Sequence, residues 1–234
     1  MNRNAQDRRV LVFLRSPRQG RVKTRLARHL GPKLTLALYR CFVEDLLGTL
    51  AAIGVPTTVC FFPQRDEERV RSWLGSNHGF QPQQGGHLGE RMAGAFQQAF
   101  DADRRLQRAV LVGTDVPDLP GGVIQEAFKA LCTTDAVLGP AYDGGYYLVG
   151  FQRSGFCPGV FQDVAWGTPT VLGDSLAALD DAGCRYRLLR RWRDVDNRGD
   201  LLRLRETILS DPDTPARDTA LLLASREVSL LLEK

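Results

Sequence analysis

The sequence has little of what several common chemistries require. It holds only three histidines, none at metal-ligand spacing, so a histidine-built metal centre is excluded. Its five cysteines, Cys41, Cys60, Cys132, Cys157 and Cys184, are odd in number, widely spread and without a CxxC pair. They read as small core residues in a reducing compartment, not as a zinc ribbon or a disulfide framework. No G-x-G-x-x-G fingerprint and no Walker loop occur. No run of about 18 apolar residues is present, so no membrane span is expected. The polar start of the chain lacks an apolar leader, and a cytoplasmic location is the expectation. Internal repeats and low-complexity segments are absent. The surplus of 31 basic over 27 acidic residues gives only +4, too little to argue for nucleic acid as a partner.

What remains is a chain of 234 residues, 43% hydrophobic, sufficient for one sizeable α/β domain. Continuous apolar runs at 10–14 and 109–112 read as buried strands, joined by strands at 55–62, 135–140 and 146–150 and by a short strand near Phe80. Leu34, Leu38, Phe42, Leu46 and Leu50, four apart, predict a long amphipathic helix over 32–53, ended by Gly54. Further helices are expected at 66–74, from the Gly85-Gly86 segment to about 100, and at 122–131, 170–179, 201–210 and 215–234. The basic, apolar alternation of 184–192 has the character of an edge strand.

The chemistry-bearing residues fall where strands end. After the run 109–112, Gly113 and Thr114 stop the strand and Asp115 follows, a carboxylate at the edge where open α/β sheets bind ligands. It suits a divalent cation; it also suits a turn or an N-cap ahead of the next helix. After the first strand, residues 15–26 gather Arg15, Arg18, Arg21, Lys23 and Arg25 around Pro17 and Gly20, with Thr24 able to cap a helix. Backbone N–H groups at a helix start together with Lys and Arg make a phosphate cradle, and a solvated basic turn is the alternative. Asp143-Gly144-Gly145 is a tight turn followed by Tyr146 and Tyr147. Asp194 and Asp196, two apart, face the same way on an extended chain and invite a hard cation.

The pattern P-x-x-G-x-V-K-T-R-L from Pro17, L-G-x-R-M from Leu88, G-T-D-x-P from Gly113, G-P-x-x-D-G-G-Y-Y-L-V-G from Gly139, W-G-T from Trp166 and D-V-D from Asp194 resembles the DUF2064 group. That group belongs to the glycosyltransferase-A-like nucleotide-diphospho-sugar transferases, alongside molybdenum-cofactor and phospholactate guanylyltransferases. The resemblance spans roughly 9–202 and implies a single-domain, three-layer α/β/α sandwich with a mixed, mostly parallel sheet. It implies a flexible stretch 1–8, a transferase-like domain over 9–202 and helices in 203–234 packing on that domain.

It implies roles as well. Pro17, Gly20, Lys23 and Arg25 correspond to the phosphate-holding loop, to which Arg15 and Thr24 contribute. Gly89 and Arg91 lie near the base or ribose, and Thr114 joins the nucleotide-binding set. Asp115 is the metal-binding aspartate, with Asp196, or less surely Asp194, the second metal-side acid for Mg²⁺ or Mn²⁺. Asp143, Gly144, Gly145 and Tyr146 correspond to the acceptor side. Catalysis is expected of Asp115, Asp143 and Lys23, the last as an exposed loop cation. The group usually follows D-V-D with T-P-E-D-L; here Asn197-Arg198-Gly199-Asp200-Leu201 stands instead, with Asp200 expected to cap a helix. The implied activity is glycosyl transfer from a sugar nucleotide to a small acceptor. Its alternatives are guanylyltransferase-like nucleotidyl transfer and nucleotide binding without turnover.

Overall fold

Strand β1 (Arg8–Arg15) sets the frame. Val10, Val12 and Leu14 point to one face and Leu11 to the other, and all four are buried, as a central strand of a covered sheet requires. In the computed structural model, which describes residues 7–232, β1 pairs in parallel with β2 (Thr57–Phe62) on one side and β4 (Arg108–Gly113) on the other. With β3 (Gly79–Pro82), β5 (Ala136–Pro140), β6 (Tyr146–Gln152) and β7 (Tyr186–Leu188), the order is β3-β2-β1-β4-β6-β5-β7. Strand β6 runs antiparallel to both its neighbours, and the other pairings are parallel. This is the mixed, mostly parallel sheet of an α/β sandwich.

Helices α1 (Thr24–Ala52), α2 (Glu67–Leu74) and α4 (Gly121–Ala130) cover one face, where Val43, Leu46, Val70 and Ile124 meet Val10, Val12 and Val110. Helices α3 (Leu88–Ala102) and α5 (Val171–Asp181) cover the other, around Phe96, Phe151 and Phe161. A third apolar cluster lies on the outer side of α1. There Leu26, Leu38 and Phe42 pack with Val195 and with α6 (Arg198–Ser210), α7 (Arg217–Ala224) and α8 (Arg226–Leu232). Buried Asp45 of α1 accepts the amides of Asp218 and Thr219 at 2.8 and 2.9 Å, satisfying N–H groups at the start of α7 that have no partner within the helix. Among the described residues, no helix is long and apolar enough to cross a membrane.

Several expectations shift. The first helix begins at Thr24 rather than at 32, because Leu26 and Leu30, four apart, bury a turn of helix against the third cluster. Gly31 (φ 73°, ψ 157°) then breaks the helix and Pro32 restarts it, so α1 is a short stub followed by a long segment. The expected helix 215–234 divides at Ser225, and its last two residues lie outside the described ones. The edge strand shrinks to β7 with an isolated bridge between Ala141 and Trp192. Helix α6 is capped by Asn197, with Asp200 as its capping-box partner and not as the cap. Helix α4 is preceded by Pro120, so Asp115 is no helix cap, and Thr24 is the first residue of α1, not its cap. Of the stretch expected to be flexible, residues 1–6 lie outside the described ones, while Arg8 opens β1.

Candidate active site

Parallel strands β1 and β4 lie side by side, so the segments leaving their carboxyl ends face each other across a cleft of about 660 Å³. The loop after β1 brings Lys23 and the turn after β4 brings Asp115. A hydrogen bond of 2.9 Å from the Val195 amide to the Asp115 carbonyl draws in the segment carrying Asp196. The Lys23 Nζ stands 2.7 Å from Asp115 Oδ1 and 2.8 Å from Asp196 Oδ1. Its side chain is only 6% exposed, against 43% and 39% for the two carboxylates, so the ammonium lies beneath them and they face the cleft. The expected exposed loop lysine is therefore a buried one. Burial opposes its charge, but the two carboxylates outweigh that and raise its pKa above the ordinary value. An ammonium buried without such partners costs several kcal/mol. Lys23 also has a left-handed backbone (φ 45°, ψ 49°), which costs a residue with a Cβ about 1–3 kcal/mol.

Two further carboxylates stand close by. Asp143 Oδ1 accepts the Gly145 amide at 2.9 Å, closing the turn between β5 and β6. Gly144, at φ +94°, lies so near the Pro169 backbone that a Cβ would sit 2.2 Å from its carbonyl oxygen, which ties this turn to the loop after Trp166. Asp194 is pushed up to about 6, by burial first and then by Asp143, Asp196 and Asp115. Asp200 Oδ2 receives the amides of Asp196 and Asn197 at 3.2 and 3.1 Å, which holds the strand-like segment ahead of α6 in place.

Away from the acids, the cleft wall is built on Phe62, the last residue of β2. The Arg91 guanidinium lies 3.8 Å from the Phe62 ring centre and that of Arg15 lies 6.0 Å from it. Arg91 also donates to the carbonyls of Gly85 and Gly86 at 3.0 and 3.2 Å. Buried Gln83 donates to the Cys60 and Leu14 carbonyls at 2.8 and 3.3 Å. The Tyr39 hydroxyl accepts the Arg15 amide at 2.9 Å and donates to the Arg15 carbonyl at 2.8 Å, pinning the end of β1.

Of the residues expected from the sequence, Arg15, Lys23, Thr24, Arg25, Arg91, Thr114, Asp115, Tyr146 and Asp196 line this cleft. Asp143, Gly144 and Gly145 stand at its acidic side, in the turn just described. Pro17 and Gly20 shape the loop without lining the cleft. Gly89 lines a separate small hollow, where its Cα faces the Phe161 carbonyl and the Trp166 ring. Arg18, expected within the cationic loop, is paired instead with Asp66. Tyr39, Phe62 and Gln83 were not foreseen. Phe62 could have been, since it ends a buried strand on the same edge as Asp115.

Among the described residues, no group of three or more His, Cys, Asp or Glu is arranged to hold a metal ion. The donor set nevertheless suits one. Two carboxylate oxygens converge on a single cation, here the Lys23 ammonium, and Mg²⁺ ordinarily takes one or two protein carboxylates and completes its shell with water and substrate phosphate.

Residues 46–168 match the family model described as "Uncharacterized protein conserved in bacteria (DUF2064)". A protein from Desulfovibrio desulfuricans G20, described as a candidate nucleotide-diphospho-sugar transferase, is 38% identical over 97% of each chain, with a TM-score of 0.90. Two more distant structures share the fold. A 4-diphosphocytidyl-2C-methyl-D-erythritol synthase is 13% identical over 88% of this chain and 99% of its own, with a TM-score of 0.58. A CMP:2-keto-3-deoxy-manno-octonic acid synthetase, complexed with CTP, is 12% identical over 87% and 99%, with a TM-score of 0.53. None of the curated proteins matches the chain.

Proposed function

We propose that this chain, which belongs to the DUF2064 family, is a metal-dependent transferase that moves a nucleotidyl group from a nucleoside triphosphate to a small, anionic acceptor. The observation that carries this reading is the juxtaposition of Lys23 with Asp115 and Asp196 at the mouth of a cleft also lined by Arg15 and Arg25. A cationic track that ends at two carboxylates suits a polyphosphate. Asp115 and Asp196 would hold Mg²⁺ or Mn²⁺, which when bound neutralises charge on the phosphates. Lys23, Arg15 and Arg25 bind the β- and γ-phosphates. Phe62, carrying Arg15 and Arg91, forms a wall for the nucleoside, with Thr24 and Thr114 as polar neighbours. An acceptor oxygen attacks the α-phosphorus; its new O–P bond replaces the bond to the β-phosphate oxygen, and pyrophosphate leaves. The chain's contribution is positioning and charge stabilisation. The CTP-bound relative of the same fold is consistent with this use of the cleft.

Glycosyl transfer from a sugar nucleotide is the second reading, favoured by Asp143. This acid stands beside the Asp194 carboxyl, and only its Oδ1 is engaged by the Gly145 amide. Its other oxygen could take the proton of an acceptor hydroxyl. Incubation with nucleoside triphosphates and sugar nucleotides, each with Mg²⁺ and pools of phosphorylated and neutral acceptors, separates the readings. Pyrophosphate release supports nucleotidyl transfer and nucleoside diphosphate release selects glycosyl transfer. A thermal shift without either product leaves a nucleotide-binding module; at a ligand concentration of about 100 Kd that shift corresponds to about 2.7 kcal/mol.

A further inference from the structure

Lys23 stands where a cation bound to Asp115 and Asp196 would stand. Its Nζ meets Oδ1 of both acids, at 2.7 and 2.8 Å, and its side chain is almost fully covered. A lysine in this setting does two things. It makes the closely placed carboxylates tolerable to each other, because one positive charge lies between them. It also repels any further cation that approaches the same oxygens. We infer that Lys23 is an internal placeholder for the divalent cation, competing with free metal for the acid pair and giving up its place more readily when nucleotide phosphates offer the ammonium another partner. This rests on the reading of Asp115 and Asp196 as the metal-side acids.

Three features make such an exchange mechanically reasonable. First, Lys23 and Asp163 are the non-glycine residues with positive φ among the described residues, so the backbone under the ammonium is strained in the closed arrangement. Second, the ammonium is carried on a flexible four-carbon stem, so it can swing away from the acid pair while Leu26 and Leu30 keep the helical stub 24–30 packed in the third apolar cluster. Third, the destination is within the same cleft, where Arg15, Thr24 and Arg25 line the wall on which phosphates would lie. The ammonium keeps an anionic partner in both states: two carboxylates before, phosphate oxygens after. Charge balance favours the exchange as well. One ammonium leaves the acid pair with a net negative charge, whereas a divalent cation neutralises it. Metal and nucleotide binding are therefore positively coupled through one side chain, and by reciprocity each tightens the other.

The test uses Mn²⁺ alone, followed by electron paramagnetic resonance, with no nucleotide present. Lys23→Met keeps most of the length of the side chain and removes its charge; it should bind Mn²⁺ on the order of tenfold more tightly than the wild type. Adding Asp115→Asn to that variant should abolish the gain. Equal Mn²⁺ affinity for wild type and Lys23→Met, or no Mn²⁺ binding to either, overturns the inference. A second readout needs no variant. Acetylation of the wild type by an N-hydroxysuccinimide ester, mapped by mass spectrometry, compares Lys23 with exposed Lys33 and Lys129 in the same molecule. Lys23 should react slowly without ligand and faster at saturating Mn²⁺; continued slow reaction while Mn²⁺ is bound overturns the inference. Neither readout involves group transfer, so a failure to find a donor or acceptor bears on the proposed activity and leaves this result standing.

Discussion

Two cations of the loop between β1 and α1, Arg18 and Lys23, are matched to carboxylates on other elements, and they are matched differently. Arg18 presents its planar fork to one acid, Nε to Asp66 Oδ2 and Nη2 to Asp66 Oδ1, so both oxygens of that carboxylate are engaged. Lys23 presents a point charge to two acids and engages only Oδ1 of each. The first arrangement saturates its partner and fastens the loop to the turn after β2. The second leaves ligand-binding capacity on both carboxylates and orients it toward the cleft. Identical charge within one loop thus serves as a fastener at one position and as part of a site at the other. Saturation of the acid, not the presence of an ion pair, separates them.

Substitutions on either side of this divide should behave in opposite ways. The largest effect is expected at Asp115. Asp115→Asn should remove the Mg²⁺-dependent part of the nucleotide-induced rise in melting temperature and lower transfer by about 10²–10³-fold, while the unliganded protein stays folded. A variant that keeps the full Mg²⁺-dependent rise would remove Asp115 from the metal side. Next comes the wall that faces the acids. Phe62→Ala takes away the ring beneath Arg15 and Arg91 and should weaken nucleotide binding by about threefold to thirtyfold in calorimetric titration; wild-type affinity would show that the wall does not meet the ligand.

Asp66→Asn addresses the fastener. It should lower the melting temperature by about 2–4 °C and leave nucleotide affinity unchanged, and a loss of affinity comparable to that of Phe62→Ala would erase the proposed division between the two pairs. The smallest effect is its pH dependence. Arg18 holds the Asp66 carboxyl down to about 2, against an ordinary 3.8. A carboxyl depressed in the folded chain stabilises fully above its unfolded value and loses that contribution as pH falls through the folded one. The gap in melting temperature between wild type and Asp66→Asn should therefore stay constant from about pH 7 to 5 and close toward pH 2. A gap that widens with acid would mean that the pair does not favour the ionised form.

The central strands were legible in the sequence, because runs such as 10–14 and 109–112 are apolar without interruption and a doubly covered sheet accommodates that; their order in the sheet was not. The long helix from Pro32 onward was legible, but the helical stub ahead of Gly31 was not; the burial of Leu26 and Leu30 against helices nearly 200 residues away decides that one precedes it. The acidic edge was readable from Asp115, Asp143, Asp194 and Asp196, each following a strand or an extended segment. The depth of Lys23 was not. Nothing in residues 15–26 distinguishes the cation that will be buried from those that stay in water, since that depends on which acids the fold delivers. Tyr39 of α1, Phe62 at the end of β2 and Gln83 just after β3 escaped for a related reason: nothing local marks them, and they meet only where the fold brings these segments to the cleft.

The third apolar cluster has a consequence for how the chain can be cut. Leu26, three residues after Lys23, and Val195, the neighbour of Asp196, are buried in the same patch, together with Leu204, Leu223 and Val228 of the last three helices. Those helices bear none of the proposed catalytic groups, yet they act as the jig in which two remote workpieces, the lysine loop and the second acid, are held to a common gauge. A chain trimmed at residue 202 would retain each of those groups and lose the tool that sets the spacing between them.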